Sequence, residues 1–112
     1  MATLLYTHPS FNRHEVPPGH VEHAGRYKAV EKALNAEEFA ELERREPPRA
    51  TPEQIERVHP RLFRERITEN IPEQGLAQFD ADTFAGPSSL DASLRAAGGA
   101  IDAIDALYNG HA

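Results

Sequence analysis

The stretch SLDASLRAAGGAIDAIDALYN, residues 89–109, constrains the fold of this chain more than any other. Leu90, Leu94, Ala97, Ile101, Ile104 and Leu107 recur at helical spacing on one face, while Asp102 and Asp105 give the helix a wet face. The preceding GPSSL supplies the start of this longest predicted helix. Gly98-Gly99 interrupts it at a cost of about 1 kcal/mol per glycine relative to alanine, which marks close packing on a sheet or another helix. The helix is therefore predicted to lie against backbone that the rest of the chain must supply.

That supply is small. A chain of 112 residues is one domain at most and buries a modest fraction of its surface. TLLY, residues 3–6, reads as a short buried strand ended by THPS, and Pro9, Pro17, Pro18 and Gly19 then impose an irregular loop. Residues 24–35 carry Tyr27, Val30 and Leu34 at helical spacing, with Glu22 placed to pair with Arg26. AEEFAELE reads as a second helical stretch, and Pro47-Pro48 forces residues 44–48 to be extended, as a second short strand. Thr51-Pro52-Glu53 opens a helix in which Ile55 and Val58 share a face; His59-Pro60 breaks it, and PRLFRERITEN resumes with Leu62, Phe63 and Ile67 inward. LAQFDADTF is predicted to be a brief strand running into a polar loop.

Strands alternating with helices, without repeats, specify an α/β fold with parallel strands. Parallel sheets are normally covered on both faces, and a few short strands with one long apolar helix scarcely complete one. Residues 1–112 are thus expected to form a single partial domain, a portion of a larger fold.

Charge and composition restrict the function. Lys and Arg total 12 against 18 Asp and Glu, a net charge of -6 with the cations scattered, which argues against nucleic acid or an anionic membrane as partner. The absence of cysteine removes disulfides, thiolate zinc sites and a Cys nucleophile, and fits a reducing compartment, so cytoplasm is the expected location. No apolar run approaches membrane-spanning length, and MATLLYTHPSF lacks the basic and apolar regions of a signal peptide.

Chemistry-bearing side chains concentrate in HEVPPGHVEHAGR, residues 14–26, which holds three of the six histidines, two carboxylates and an arginine. His14, His20 and His23, with Glu15 or Glu22, can supply the nitrogen and oxygen ligands of a zinc ion. That spacing is weakly specific, and the favoured reading has these side chains capping the helix, bonding loop carbonyls and pairing with the acids. His59 reads as a cap or buried hydrogen-bonding residue, and His8 and His111 as solvated. Asp80 and Asp82 can be taken as a carboxylate pair for acid–base work, although strand-end turn chemistry is favoured. No serine stands in a nucleophile-elbow context and no glycine-rich phosphate loop is present.

TLLYTHPSFNRHEVPPGHVEHAGRYKAVEKAL resembles the opening of a histone deacetylase superfamily protein, where a first strand leads through a histidine-bearing loop to a G-H-P-E-x-x-x-R motif and a helix; His14, Gly19, His20, Glu22 and Arg26 match. RATPEQIERVHPRLFRERI is similar to the family's a-T-x-e-x-l-x-x-v-H-s-x-x-Y segment, and FDADTFAGPSSLDASLRAAGGAIDAIDALYNG to its D-x-D-T-x-x-x-x-S loop and long Ala/Gly-rich helix. The resemblance spans essentially the whole chain and fits the bacterial class II and acetylpolyamine amidohydrolase-like branch best. Val21 replaces the motif's proline, and Phe63 stands where the family often has tyrosine. The H-x-E-H-A-G-R form also resembles class IIa deacetylases, whose corresponding region helps hold a structural zinc through cysteines that this chain lacks.

The resemblance implies an arginase/deacetylase-like α/β fold and zinc-assisted hydrolysis of an acetyl-lysine or acetyl-polyamine amide, in which zinc activates water and paired histidines move protons. The family's R-P-P-G-H-H dyad motif is expected just after YNGHA, with its D-x-H zinc ligands beyond; neither motif occurs in the 112 residues. By resemblance, His14 and His20 border the active-site mouth, Arg26 lines the inner end of the pocket, and Asp80 and Asp82 approach the substrate rim, with no catalytic residue and no bound cofactor expected here. The chain is thus expected to be a truncated deacetylase-like protein, incompetent alone. Two alternatives are a stand-alone oligomeric binding or assembly protein and a subunit whose site a partner chain completes. An unpaired sheet edge and apolar helix face lead us to expect a homo-oligomer or a partner protein chain.

Overall fold

The Gly98-Gly99 pair lies directly under the extended segment 47–50. The structure, a computed structural model, describes residues 2–112. A methyl group on Gly98 would overlap the Pro48 carbonyl oxygen and come within 2.7 Å of the Ala50 nitrogen, and one on Gly99 would lie 2.8 Å from Pro47 Cβ. The Ala50 N–H donates to the Leu94 carbonyl at 2.9 Å, so helix and segment touch backbone to backbone. Pro47 is fully buried beneath this contact. The glycines are there because no side chain fits.

The chain enters by β1 (Leu4–Tyr6), passes a 3₁₀ turn (Pro9–Arg13) and a loop to α1 (Ala24–Leu34), and returns through β2 (Glu43–Arg45). β1 and β2 pair in parallel with Leu4 opposite Glu43 and Tyr6 opposite Arg45. Helices α2 (Pro52–Glu56) and α3 (Arg61–Glu69) follow, then an antiparallel hairpin of β3 (Ala77–Gln78) and β4 (Phe84–Ala85), then α4 (Ser89–Tyr108). Thr51 closes a capping box on α2: its hydroxyl accepts from the Gln54 N–H at 3.2 Å, and the Gln54 side chain accepts from the Thr51 N–H at 2.8 Å. α4 ends at Gly110, whose φ of +72° lets His111 N–H reach the Ala106 carbonyl at 2.8 Å and Gly110 N–H the Leu107 carbonyl at 3.2 Å.

Polar ties fasten α4 to the first strand pair. Tyr6 Oη donates to Asp102 Oδ2 at 2.6 Å, so Asp102, expected on a wet face, anchors β1 instead. Arg95 reaches the Pro47 carbonyl at 2.9 Å, Glu46 at 3.1 Å and Asp91, while Arg49 also pairs with Asp91.

The apolar core is thin. Among the described residues the buried hydrophobic side chains are Ala50, Ala85, Ala92 and Ala106, and Val30, Phe63, Ile104, Leu107 and Tyr108 stand exposed. The accessible surface is 7959 Å², against about 6,100 Å² for an ordinary monomer of this mass. The radius of gyration is 15.7 Å within extents of 42 × 33 × 20 Å, where a compact domain of this length would have about 13 Å. No helix among the described residues is long and apolar enough to cross a membrane.

The fold departs from expectation at several places. AEEFAELE forms only a 3₁₀ turn, Glu37–Phe39, because its apolar residues are too few to hold a helix face. The second strand starts one residue earlier than expected, at Glu43, and the prolines continue it as extended chain. LAQFDADTF holds both arms of a hairpin, so parallel pairing applies to β1 and β2 alone. Val58 and Leu62 face outward, at 80% and 79% exposure, since no described residue packs over that side of α2 and α3, and Phe63, 48% exposed, lines an open hollow towards α4 without being buried there.

Candidate functional site

The loop from His14 to His23 is fixed to the hairpin and to the start of α4 by two histidines. His14 Nδ1 lies 2.8 Å from Ser89 Oγ. The buried Ser89 Oγ also accepts from the Gly86 N–H at 2.8 Å, which leaves the hydroxyl proton free to point at His14. On the other side of the ring, His14 Nε2 is 3.8 Å from Glu22 Oε2. The expected pairing of Glu22 with Arg26 is absent; Glu22 turns back over its own loop because His14 stands nearer.

His20 is held at both ring nitrogens. Its Nε2 is 3.0 Å from the Asp82 carbonyl, and its Nδ1 accepts from the Glu22 N–H at 3.1 Å. A carbonyl only accepts, so this pattern assigns the proton to Nε2. The ring also meets Phe84 edge-on at 5.7 Å between centroids. Asp82 thus contributes its carbonyl to His20, while its N–H donates to Asp80 Oδ1 at 2.8 Å. That N–H, with the Thr83 hydroxyl, holds the Asp80 carboxyl below its ordinary value. Asp80 closes its own turn, as strand-end chemistry requires, rather than standing beside Asp82 as an acid–base pair.

The other members of the motif lie apart. His23 is the exposed residue before α1, its ring folded over Gly25 and making no cap bond. Arg26 is exposed on the first turn of α1 and forms no ion pair with another described residue. His8 is not solvated: its Nδ1 accepts from Ser10 N–H at 3.0 Å and its Nε2 faces Glu46 at 3.5 Å. His111 is exposed as expected, and His59 is exposed and stacked on Phe63 at 5.2 Å.

His14, Glu22, Asp82, Thr83, Phe84 and Ser89, together with the apolar Ile67, Ile71, Phe79 and Leu90, line a cleft of about 300 Å³. A neighbouring hollow of about 420 Å³ opens between Phe11, Tyr27 and α4, where the Tyr27 hydroxyl is buried without a partner and burial raises its pKa. A third, also about 420 Å³ and mainly apolar, runs between α2, α3 and α4 past Ile55, Phe63, Leu90, Leu94 and Ala97.

Zinc does not fit the histidine cluster as it stands. Both ring nitrogens of His20 are occupied by backbone groups, and His14 is shared between Ser89 and Glu22. Among the described residues no three His, Asp or Glu side chains converge to hold a metal ion. Ser89 and Phe84 are the contacts that sequence reasoning missed: GPSSL signals a helix start, and nothing local shows that its second serine meets a histidine 75 residues away.

The sequence pattern of the histone deacetylase domain matches residues 20–112. The fold is similar to that in the crystal structure of the HDA15 HD domain, with a TM-score of 0.85 at 19% identity, over 98% of this chain and 32% of that one. The chain therefore spans about a third of that solved chain's length, and the likeness extends the family's fold to β1 and the 14–19 loop. No curated protein sequence matches.

Proposed function

Because this chain belongs to the histone deacetylase domain family, we propose that it forms the mouth-side portion of a deacetylase-type fold and does not hydrolyse acetylated amines by itself. The observation that supports this reading is the clamp of His14 on Ser89 and His20 on Asp82, which holds the loop with His14 and Glu22 at the lining of the cleft. A loop so fastened orients whatever enters the cleft, through the Phe84 ring and the Glu22 and Asp82 side chains, while the exposed His23 lies outside the lining of the cleft. Hydrolysis in this family draws on a bound zinc that activates water. Among the described residues no three His, Asp or Glu side chains converge to hold it.

The test is to incubate the purified chain with zinc and either an acetyl-lysine peptide or an acetylated polyamine, and to follow acetate release. The expected result is no turnover above the blank and no stoichiometric zinc in the recovered protein. Zinc-dependent turnover that His20→Ala abolishes would overturn the reading.

A second reading is favoured by the exposed Ile104, Leu107 and Tyr108 on α4: a further polypeptide, either a second copy or a separate chain, covers that flank.

A further inference from the structure

The tip of the β3–β4 hairpin has little of its own to hold it. Its arms are two residues each, Ala77–Gln78 and Phe84–Ala85, and a lone hairpin is at best marginally stable in water. Asp80, Ala81, Asp82 and Thr83, which lie between the arms, are all exposed. Two hydrogen bonds close the tip on itself, Phe79 N–H to the Thr83 carbonyl at 2.8 Å and Asp82 N–H to Asp80 Oδ1 at 2.8 Å. Among the described residues, one hydrogen bond ties it to another part of the chain: His20 Nε2 lies 3.0 Å from the Asp82 carbonyl, 62 residues away in sequence. That donor is delivered by a preset turn. His20 N–H donates to the Pro17 carbonyl at 3.1 Å across Pro18 and Gly19, with Gly19 at φ +84°, the pattern of a type II turn. Proline fixes φ at the first central position and glycine takes the positive φ at the second without strain, so PPGH forms a stiff mount for the imidazole. The Glu22 N–H, 3.1 Å from Nδ1, then holds the ring and leaves Nε2 to carry the proton that Asp82 receives.

We infer that His20 is a positioning residue: mounted on the Pro17–His20 turn, it holds the hairpin tip and thereby sets where Asp82, Thr83 and Phe84 face the cleft. Those three residues line the cleft and His20 does not, so it acts through them. The edge of its ring against Phe84, at 5.7 Å between centroids, adds a second contact in the same direction. The inference deepens the proposed function and rests on that reading for what the cleft receives.

The test is amide hydrogen exchange of the full chain near neutral pH, followed residue by residue by NMR, for the wild type and for His20→Ala, His20→Gln, His20→Asn and His23→Ala. His20→Ala is expected to speed exchange at the Phe79 and Asp82 amides roughly three- to tenfold, the effect of losing one neutral hydrogen bond, while amides in the middle of α4 keep their wild-type rates. A glutamine N–H reaches about as far as Nε2 and is expected to restore most of the protection. An asparagine can accept from the Glu22 N–H as Nδ1 does but stops short of Asp82, and is expected to behave as alanine. His23→Ala, on an exposed side chain outside the cleft, is expected to leave the hairpin unchanged. Unaltered hairpin exchange in His20→Ala would overturn the inference. So would acceleration shared equally by α4, which would make His20 a general support of the fold, or rescue by asparagine as complete as by glutamine, which would put the weight on Glu22 instead of Asp82. Acetate release is read separately, so turnover by the chain would overturn the proposed function and leave this positioning role standing.

Discussion

Gly98, within α4, and Gly110, just past its end, show two unlike reasons for a glycine. At Gly98 the backbone is ordinary helix and the objection to a side chain is space, since a Cβ would strike the Pro48 carbonyl and crowd the Ala50 nitrogen, neither of which can rotate away. At Gly110 there is open space within 4 Å, and the objection is the φ of +72° that the helix cap requires. Gly98→Ala is therefore expected to cost about 2–4 kcal/mol, because α4 must move off the 47–50 segment. Gly110→Ala is expected to cost about 1 kcal/mol, the strain of a left-handed alanine. Urea unfolding of both variants measures the difference, and equal losses would mean that the 47–50 contact yields more easily than its geometry indicates. The sequence alone located the close approach, since a glycine pair in an amphipathic helix has few other uses. It did not show what approaches, because Pro47-Pro48 is separated from the pair by 50 residues and reads only as extended chain.

Among elements, α4 is tied by ion pairs to the extended segment that follows β2. Hydrogen bonding and charge from Arg49, then from Arg95, hold the Asp91 carboxyl below its ordinary value of 3.8. A carboxyl depressed in the folded state binds its proton more readily when unfolded. Its contribution is thus complete above the ordinary aspartate range and is lost as pH falls through the lower folded value. The midpoint of urea unfolding is expected to fall with pH below 3.8, and Asp91→Asn is expected to flatten that part of the profile while lowering stability near neutrality. An unchanged profile would show that the Arg49–Asp91 contact is absent in solution. Elements with their own local signals were legible in sequence: the Thr51 cap and Pro52 opened α2, and the Leu90 to Leu107 spacing gave α4. The elements that failed depend on partners. AEEFAELE lacks a face to bury, and the β3–β4 hairpin has arms of only two residues each, too short for a period-two pattern to register. The loop clamp was legible in kind, since histidines bonding loop carbonyls was the favoured reading, but the identities of Asp82 and Ser89 depend on how the hairpin folds back.

For the whole molecule, the shortage of buried surface sets the behaviour. A chain in which no described Leu, Ile or Phe is fully buried, and in which the buried side chains are alanines with Pro47 and two serines, forgoes the roughly 1.5–3 kcal/mol that each such side chain brings, while ordering its backbone at the usual entropic cost. The chain corresponds to 32% of the HDA15 HD domain chain, and among the described residues nothing pairs with the outer edge of β1 and Ile104, Leu107 and Tyr108 of α4 stand exposed. If a second copy covers them, folding and association become one equilibrium, and the stability of the folded chain rises with its own concentration. The unfolding enthalpy of a dimer of this size is about 150 kcal/mol near 60 °C, so a tenfold rise in protein concentration is expected to raise Tm by about 3 °C. Scanning calorimetry across two decades of concentration checks this directly. A Tm independent of concentration would mean that the monomer is the cooperative unit and that the polar ties of Tyr6, Arg49 and Arg95 to α4 are sufficient to hold an alanine-lined core together.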